Sequence, residues 1–297
     1  KIKKIENQKI ISNNYLLIKG AFFECKNSSL ILLKIKNNKL TVLNNNLNQN
    51  MHYRRAKYIT TLIEETLINY EIQDIIFIVS LRDNLPELNI PYLGPIYEEG
   101  KSSLAIPNNW EEYFTESNNK VFTPEKFDII VKDYNINTVS KKQNETIVFR
   151  GDNNCDLRRK VKKLAENQNF LDVEFAKKIN DQNFIPYEKI ISDYQYFFIL
   201  RGNGPWTGTI NQFSLANGVL FKVEEDSKQP IELFLEANID YISIKKDLSD
   251  FEEKVLLSKV EKLMEKMKNN LKRKSDIFFK SENIMYYMYL CITNLYQ

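Results

Sequence analysis

Apolar residues enter the chain first as short runs. Residues 15–19 (YLLIK), 29–35 (SLILLKI) and 39–43 (KLTVL) carry β-type runs separated by Asn-rich turns, which predicts a small meander or hairpin. The period then changes. Between about 52 and 70, Ile59, Leu62, Ile63 and Ile68 repeat at three and four residues and predict a helix. Asp74 to Ser80 follows as a buried strand, five of its seven residues being apolar, and runs straight into Leu81-Arg82-Asp83. Polar groups at a strand's carboxyl end are where open α/β sheets place their ligands. Residues 84–109 hold four of the eight prolines and are expected to form loop.

A polar stretch, residues 132–145 (KDYNINTVSKKQNE), separates two apolar runs, Phe127 to Val131 and Thr146 to Phe149, both expected to be strands. It is the natural linker between two domains, 1–140 and 141–275. After it the pattern alternates: strand TIVF, helix 156–167, strand 171–175, strand 195–200, helix 208–217, strand 218–223 and strand 241–244. That order predicts parallel strands with crossover helices, a Rossmann-like half within an α/β fold. A helix over 250–270 follows, with Phe251, Val255, Leu256, Val260, Leu263, Met264 and Met267 on one face and lysines on the other. A last helix over about 282–296 is dense in Met, Tyr and Leu.

Composition narrows the function classes. The 297 residues suit two domains, each able to bury a core. With 43% hydrophobic and 27% charged residues, the chain is neither globally disordered nor low-complexity, and a net charge of +3 is too small for a protein that coats a polyanion. Cys25, Cys155 and Cys291 are far apart, and His52 is the single histidine, so a usual His/Cys metal set cannot be completed, and neither a structural zinc site, a Ser-His-Asp triad nor a disulfide-stapled scaffold is expected. The opening KIKKIENQKIISNN lacks a signal-peptide core, and no stretch reaches eighteen uninterrupted apolar residues, so no transmembrane segment is expected. A cytoplasmic location is the expectation, with a targeting segment upstream of Lys1 left open.

Two phrases carry candidate chemistry. Phe149-Arg150-Gly151-Asp152 closes a strand and precedes a helix opening at Asp156; a glycine there lets backbone approach a ligand, and Arg offers a planar donor fork for phosphate. Ile199-Leu200-Arg201-Gly202-Asn203-Gly204-Pro205-Trp206-Thr207-Gly208-Thr209 repeats the theme, since a buried strand again ends in Arg-Gly and leads into a helix. The spacing is neither a Walker loop nor GxGxxG, which removes the main support for nucleotide hydrolases and nicotinamide enzymes. Two Arg-Gly strand ends in one half-domain point to an anion site, with Arg150, Gly151, Arg201, Gly202, Asn203, Gly204, Thr207 and Thr209 as its candidates. The competing reading of each is an Arg in an ion pair beside a turn glycine.

In their order, these phrases resemble glycosyltransferase family 90, which includes Rumi-type protein O-glucosyltransferases, capsule-associated xylosyltransferases and some lipopolysaccharide glycosyltransferases. The resemblance runs over about residues 52–296 through QDIIFIVSLRDNLPEL (73–88), TIVFRGD (146–152), FLDVEF (170–175), YQYFFILRGNG (194–204), LANGVLFKV (215–223) and DYISIKKDLSDFEEKV (240–255). It implies a GT-B fold of two Rossmann-like lobes facing a central cleft. The C-terminal lobe would hold a UDP-sugar, with glucose or xylose favoured, and helix 276–297 would return to the N-terminal, acceptor-side lobe. It further implies inversion at the anomeric carbon without a required metal or other cofactor, and a glycan, protein or lipid-linked acceptor. Asp83 matches the family's general base, and Arg150 and Arg201 match arginines beside the diphosphate.

Three positions depart from the family pattern. Thr209 stands where a Ser-x-Arg motif has Arg, Asp240 where a His is common, and Gln229 where a Glu is frequent. They keep open a second reading, a catalytically silent sugar-nucleotide or glycan-binding relative. Nucleic-acid or membrane contact through Lys259, Lys262, Lys266, Lys268, Lys272, Arg273 and Lys274 is set against an ordinary solvated helix face, because Glu252, Glu253, Glu261 and Glu265 are interspersed. The solvated face is the expectation and no nucleic-acid partner is assigned. His52 reads as a capping or surface residue, and Arg54 and Arg55 as facing either a cleft or solvent.

Overall fold

The computed structural model describes residues 18, 29–44, 53–81, 86–107, 122–136, 144–176, 183–204 and 207–296. It is an α/β protein that divides into two compact units. One comprises Lys1–Phe127, Ser227–Pro230 and Ser281–Gln297, the other Asp128–Asp226 and Ile231–Lys280. The expected boundary at 140/141 compares with a division at 127/128, just inside a helix.

In the first unit a five-stranded mixed sheet has the order β2-β1-β3-β4-β6, from β1 (Leu30–Lys36), β2 (Lys39–Val42), β3 (Ile75–Ser80), β4 (Tyr92–Gly94) and β6 (Ser103–Ala105). β1 runs antiparallel to β2 and β3, whereas β3, β4 and β6 are parallel. The β1–β2 hairpin turns on Asn37 and Asn38, at φ 49° and 57°, a left-handed pair that Asn tolerates better than other residues with a Cβ. Asn38 accepts from Ile72 N and donates to Leu67 O, tying this turn to the end of α1 (Tyr53–Asn69). Residues 84–109, expected as loop, supply β4, β6 and the two-residue β5 (Tyr97–Glu98), which pairs antiparallel with β11 (Ser227–Lys228); all are too short and proline-punctuated to show a strand period.

The closing helix α8 (Ser281–Thr293) packs against α1 in this unit. Tyr287 Oη donates to Ala105 O at 3.0 Å and Tyr296 Oη to Ile76 O at 2.9 Å. Burial raises both phenols far above their ordinary pKa and pushes the Cys291 thiol up to about 12.

Phe127 to Val131 is not a strand. It lies in α2 (Pro124–Ile136), where Phe127 and Val131 are buried and Ile129 is 58% exposed, the i, i+4 signature of a helix. Of the expected linker, 132–136 continue that helix, 144–145 begin the next strand, and 137–143 lie outside the described residues. So does the expected strand 15–19, except Ile18, which is helical and buried.

The second unit carries a wholly parallel sheet of order β12-β10-β9-β7-β8, built from β7 (Asn144–Gly151), β8 (Leu171–Phe175), β9 (Tyr194–Ile199), β10 (Val219–Val223) and β12 (Ile242–Ile244). Phe149, Val173, Phe198, Phe221 and Ile244 point to one face. There they meet Leu157 and Val161 of α3 (Asp156–Ala165), Phe251 and Val255 of α6 (Phe251–Ser258), and Met264 and Met267 of α7 (Glu261–Phe278). α4 (Tyr187–Asp193) leads into β9, and α5 (Thr209–Leu215) covers the opposite face, with Phe213 stacked on Phe197 at 4.6 Å. Coverage of both faces is what a parallel sheet requires.

The single helix expected over 250–270 is two, broken at Lys259-Val260. Leu256 and Val260, expected on its buried face, are 61% and 49% exposed: Leu256 is one residue past the buried line of Phe251 and Val255, and Val260 sits at the break.

Candidate functional site

The parallel sheet reverses its winding between β7 and β9. From β7 the chain moves outward to β8, then crosses back to β9 and continues to β10 and β12. Ligands of open α/β sheets bind outside the carboxyl ends of the strands at such a point. The two strand ends that flank it here are Arg150-Gly151 and Leu200-Arg201-Gly202, so the topology brings together the two phrases singled out from the sequence.

What joins them is Arg158 on α3, which the sequence reading did not single out. Its guanidinium donates from Nε to Arg201 O at 2.8 Å, from Nη1 to Asp152 O at 2.9 Å and from Nη2 to Leu200 O at 3.2 Å. Its carbon sits 5.0 Å from the centroid of the Phe149 ring, and the residue is 8% exposed. All three acceptors are backbone carbonyls, and no carboxylate among the described residues pairs with it. Burial lowers its pKa from the ordinary value, opposed by Cys155, Asp152 and Tyr187. Cys155 adds a thiol contact to Arg201 O at 3.4 Å.

This arrangement gives the glycines a different purpose from the one expected. A Cβ on Gly151 would lie 2.9 Å from Phe149 Cζ and 3.2 Å from Arg158 Nη1, and one on Gly202 3.4 Å from Asn154 Nδ2 and 3.5 Å from Arg158 Nη2. Gly151 makes room for the guanidinium, whereas Gly202 only grazes it.

Arg150 and Arg201 differ. Arg150 is turned to the neighbouring strand, where its Nη1 donates to Asp172 O at 2.9 Å and its Nη2 meets Asp172 Oδ1 at 2.7 Å. Its side chain is 9% exposed, and Tyr194 Oη donates to the other oxygen of Asp172. Burial and this carboxylate push the Tyr194 phenol up to about 12. Arg150 is thus held in a structural ion pair rather than presented to a ligand. Arg201 is 40% exposed along its side chain, oriented by Glu225 just past β10, Nε to Oε1 3.1 Å. Burial raises the Glu225 carboxyl above its ordinary pKa against the pull of Arg201, Lys246 and Lys222.

Beyond Arg201, Asn203 is exposed, Gly204 is buried, and the hydroxyls of Thr207 and Thr209 lie 3.0 Å apart. Pro205 and Trp206 lie outside the described residues, as do Arg82, Asp83, His52 and Cys25. β3 ends at Ser80, and Arg55 of α1 donates to the Leu81 carbonyl just beyond it; Arg54 is exposed.

The two remaining departures from the family pattern are buried. Asp240 is fully enclosed, accepting from Lys274 and, at 2.7 Å, from Glu236 N, and Gln229 is 2% exposed. Lys222 of β10 forms a second buried pair missed in the sequence, 2.7 Å from Glu232. No group of three or more His, Cys, Asp or Glu side chains among the described residues could hold a metal ion. A cavity of about 570 Å³ beside Asn37, Asn38, Tyr70 and Asp74 in the first unit is lined by none of the candidate site residues.

At the carboxyl ends of β7, β9 and β10 the arginines sit among carboxylates, Asp152 following β7 and Glu224, Glu225 and Asp226 following β10. Arg201 is half-buried and paired with Glu225, Arg158 lies beneath with its donors on backbone carbonyls, and hydroxyls and glycine backbone lie beside them, groups that can donate to a phosphate. Neither a protein-family model nor a curated protein matches the chain.

Proposed function

We propose that the chain is an inverting glycosyltransferase of GT-B architecture, similar to family 90, that moves glucose or xylose from a UDP-sugar to a hydroxyl of a glycan, protein or lipid-linked acceptor. The observation that supports the reading is the switch point, where two Arg-Gly strand ends are tied by Arg158 and the Arg201 side chain, oriented by Glu225, is 40% exposed. In this reading the donor diphosphate lies against Arg201, the backbone of Gly202 to Gly204 and the hydroxyls of Thr207 and Thr209. Charge builds on the departing diphosphate as the glycosidic bond breaks, and a fixed guanidinium stabilises that charge more than it stabilises the intact donor. Asp83 takes the acceptor proton as the oxygen attacks the anomeric carbon. Arg150 keeps β7 and β8 in register instead of touching phosphate.

A silent sugar-nucleotide binder is the second reading, favoured by the Arg150–Asp172 pair and by Thr209, which together leave fewer cations for a leaving group. Incubation with UDP-glucose and UDP-xylose, followed by chromatography for released UDP, separates the two. Turnover that falls by about 10²–10⁴ in Asp83→Asn at unchanged donor affinity supports the enzyme, and donor binding without turnover supports the silent relative.

A further inference from the structure

Four of the exposed large apolar side chains described in the second unit lie on one loop and the helix beside it, apart from Ile129, Leu256 and Val260. Leu233, Phe234 and Ile239, at 43%, 47% and 41% exposure, lie on the loop that follows Ile231, and Ile277 on α7 is 52% exposed. The loop runs along the helix. The Phe234 ring is 5.0 Å from that of Phe278, Lys274 pairs with Asp240, and Asn270 Nδ2 donates to Ile239 O at 3.4 Å. Residues 270, 274 and 278 form one line on α7, and the loop therefore lies beside the line that carries Ile277.

That neighbouring line is basic. Lys262, Lys266, Arg273 and Ile277 follow one another at spacings of four, seven and four, and Lys280 lies just past the helix end. All four cations are exposed and none pairs with a carboxylate among the described residues. The three acidic residues of α7 lie off this line: Glu261 is exposed at the helix start, Glu265 holds Lys268 at 2.6 Å and Asp276 holds Lys272. Glu236 is the exposed carboxylate on the loop.

We infer that this surface docks the protein on an anionic lipid bilayer, with Leu233, Phe234, Ile239 and Ile277 entering the headgroup region and Lys262, Lys266, Arg273 and Lys280 resting on lipid phosphates. An apolar patch with an unneutralised basic rim is complementary to that interface, where apolar area is buried while long cationic side chains stay among charged headgroups. A nucleic acid would answer the cations but leave four apolar side chains facing its phosphates. The inference is independent of the proposed donor site, and it assigns a role to the lysines that the sequence reading left as solvated face.

The test is sedimentation of the full chain with phosphatidylcholine vesicles made with and without phosphatidylserine. Binding should require phosphatidylserine and weaken as salt is raised, which needs no variant to observe. Lys266→Glu with Arg273→Glu should lower vesicle affinity by at least about tenfold, and Leu233→Ser with Ile277→Ser should lower it as well, both with parental melting. No binding to phosphatidylserine vesicles, or salt-independent binding, overturns the inference. So does a charge-reversed protein that melts like the parent and binds equally well, or binding to an oligonucleotide duplex where vesicles are ignored.

Discussion

Arg158 donates from Nε to the carbonyl of Arg201 at 2.8 Å, and through that bond the helix after β7 holds the loop after β9. One buried guanidinium with three carbonyl acceptors fixes the spacing of two loops that the sheet alone leaves unconnected. Replacing it by Ala strands those carbonyls and should lower unfolding free energy by about 3 kcal/mol. Lys should recover only part of this, because an ammonium cannot fork to three fixed acceptors. Urea unfolding of the parent and both variants measures the difference, and parental stability in Arg158→Ala would show that the loops hold themselves.

The two glycines beside Arg158 should answer differently to one added methyl group. Gly151→Ala meets the Phe149 ring at 2.9 Å and the guanidinium at 3.2 Å, so the variant should lose about 1–3 kcal/mol as in an overpacked core. Gly202→Ala meets its nearest neighbour at 3.4 Å and should stay within about 0.5 kcal/mol of the parent. Thermal melts of both variants check the order.

Asp172 binds two partners, Arg150 and Tyr194, and its loss should be visible in alkali. The Tyr194 phenol, pushed up to about 12 from its ordinary 10, stabilises the folded state fully below pH 10, and that contribution is lost as pH rises through 12. In Asp172→Asn the carboxylate that disfavours tyrosinate is gone, so one tyrosine should titrate closer to its ordinary value. The Arg150 guanidinium loses its counter-ion as well, and stability at neutral pH should fall. Ultraviolet difference titration, with a thermal melt alongside, reads both effects. An unchanged tyrosinate curve would mean that the hydrogen bond from Tyr194 is not made in solution.

Elements with a clean period were legible in the sequence. β3, β7, β8, β9 and β10 lie within one or two residues of the apolar runs that predicted them. Phe127 to Val131 misled because a five-residue run with four apolar positions has the length of a strand, and only burial shows that Ile129 faces away from Phe127 and Val131. The break at Lys259-Val260 was hidden because apolar spacing continues across it.

At the candidate site, the Arg-Gly phrases identified the two strand ends but not which arginine is available. Arg150 could be told from Arg201 only by its cross-strand neighbour Asp172, and pairing between strands is not written in local sequence. Arg158 lies in DLRRKVKKLA among other cations. Its one signal was position: three residues before Val161 and seven before Ala165, it sits on the side of the helix that turns inward.

Calorimetric titration of UDP into the parent protein and Arg201→Ala tests the central claim most directly. The account predicts saturable binding to the parent and a loss of about ten- to a hundredfold in the variant, the worth of one charge-assisted contact to phosphate, in a protein that stays folded but melts somewhat lower because Glu225 loses its partner. Failure of the folded parent to bind UDP, or equal affinity in parent and variant, would contradict the assignment of this switch point to a nucleotide-sugar diphosphate.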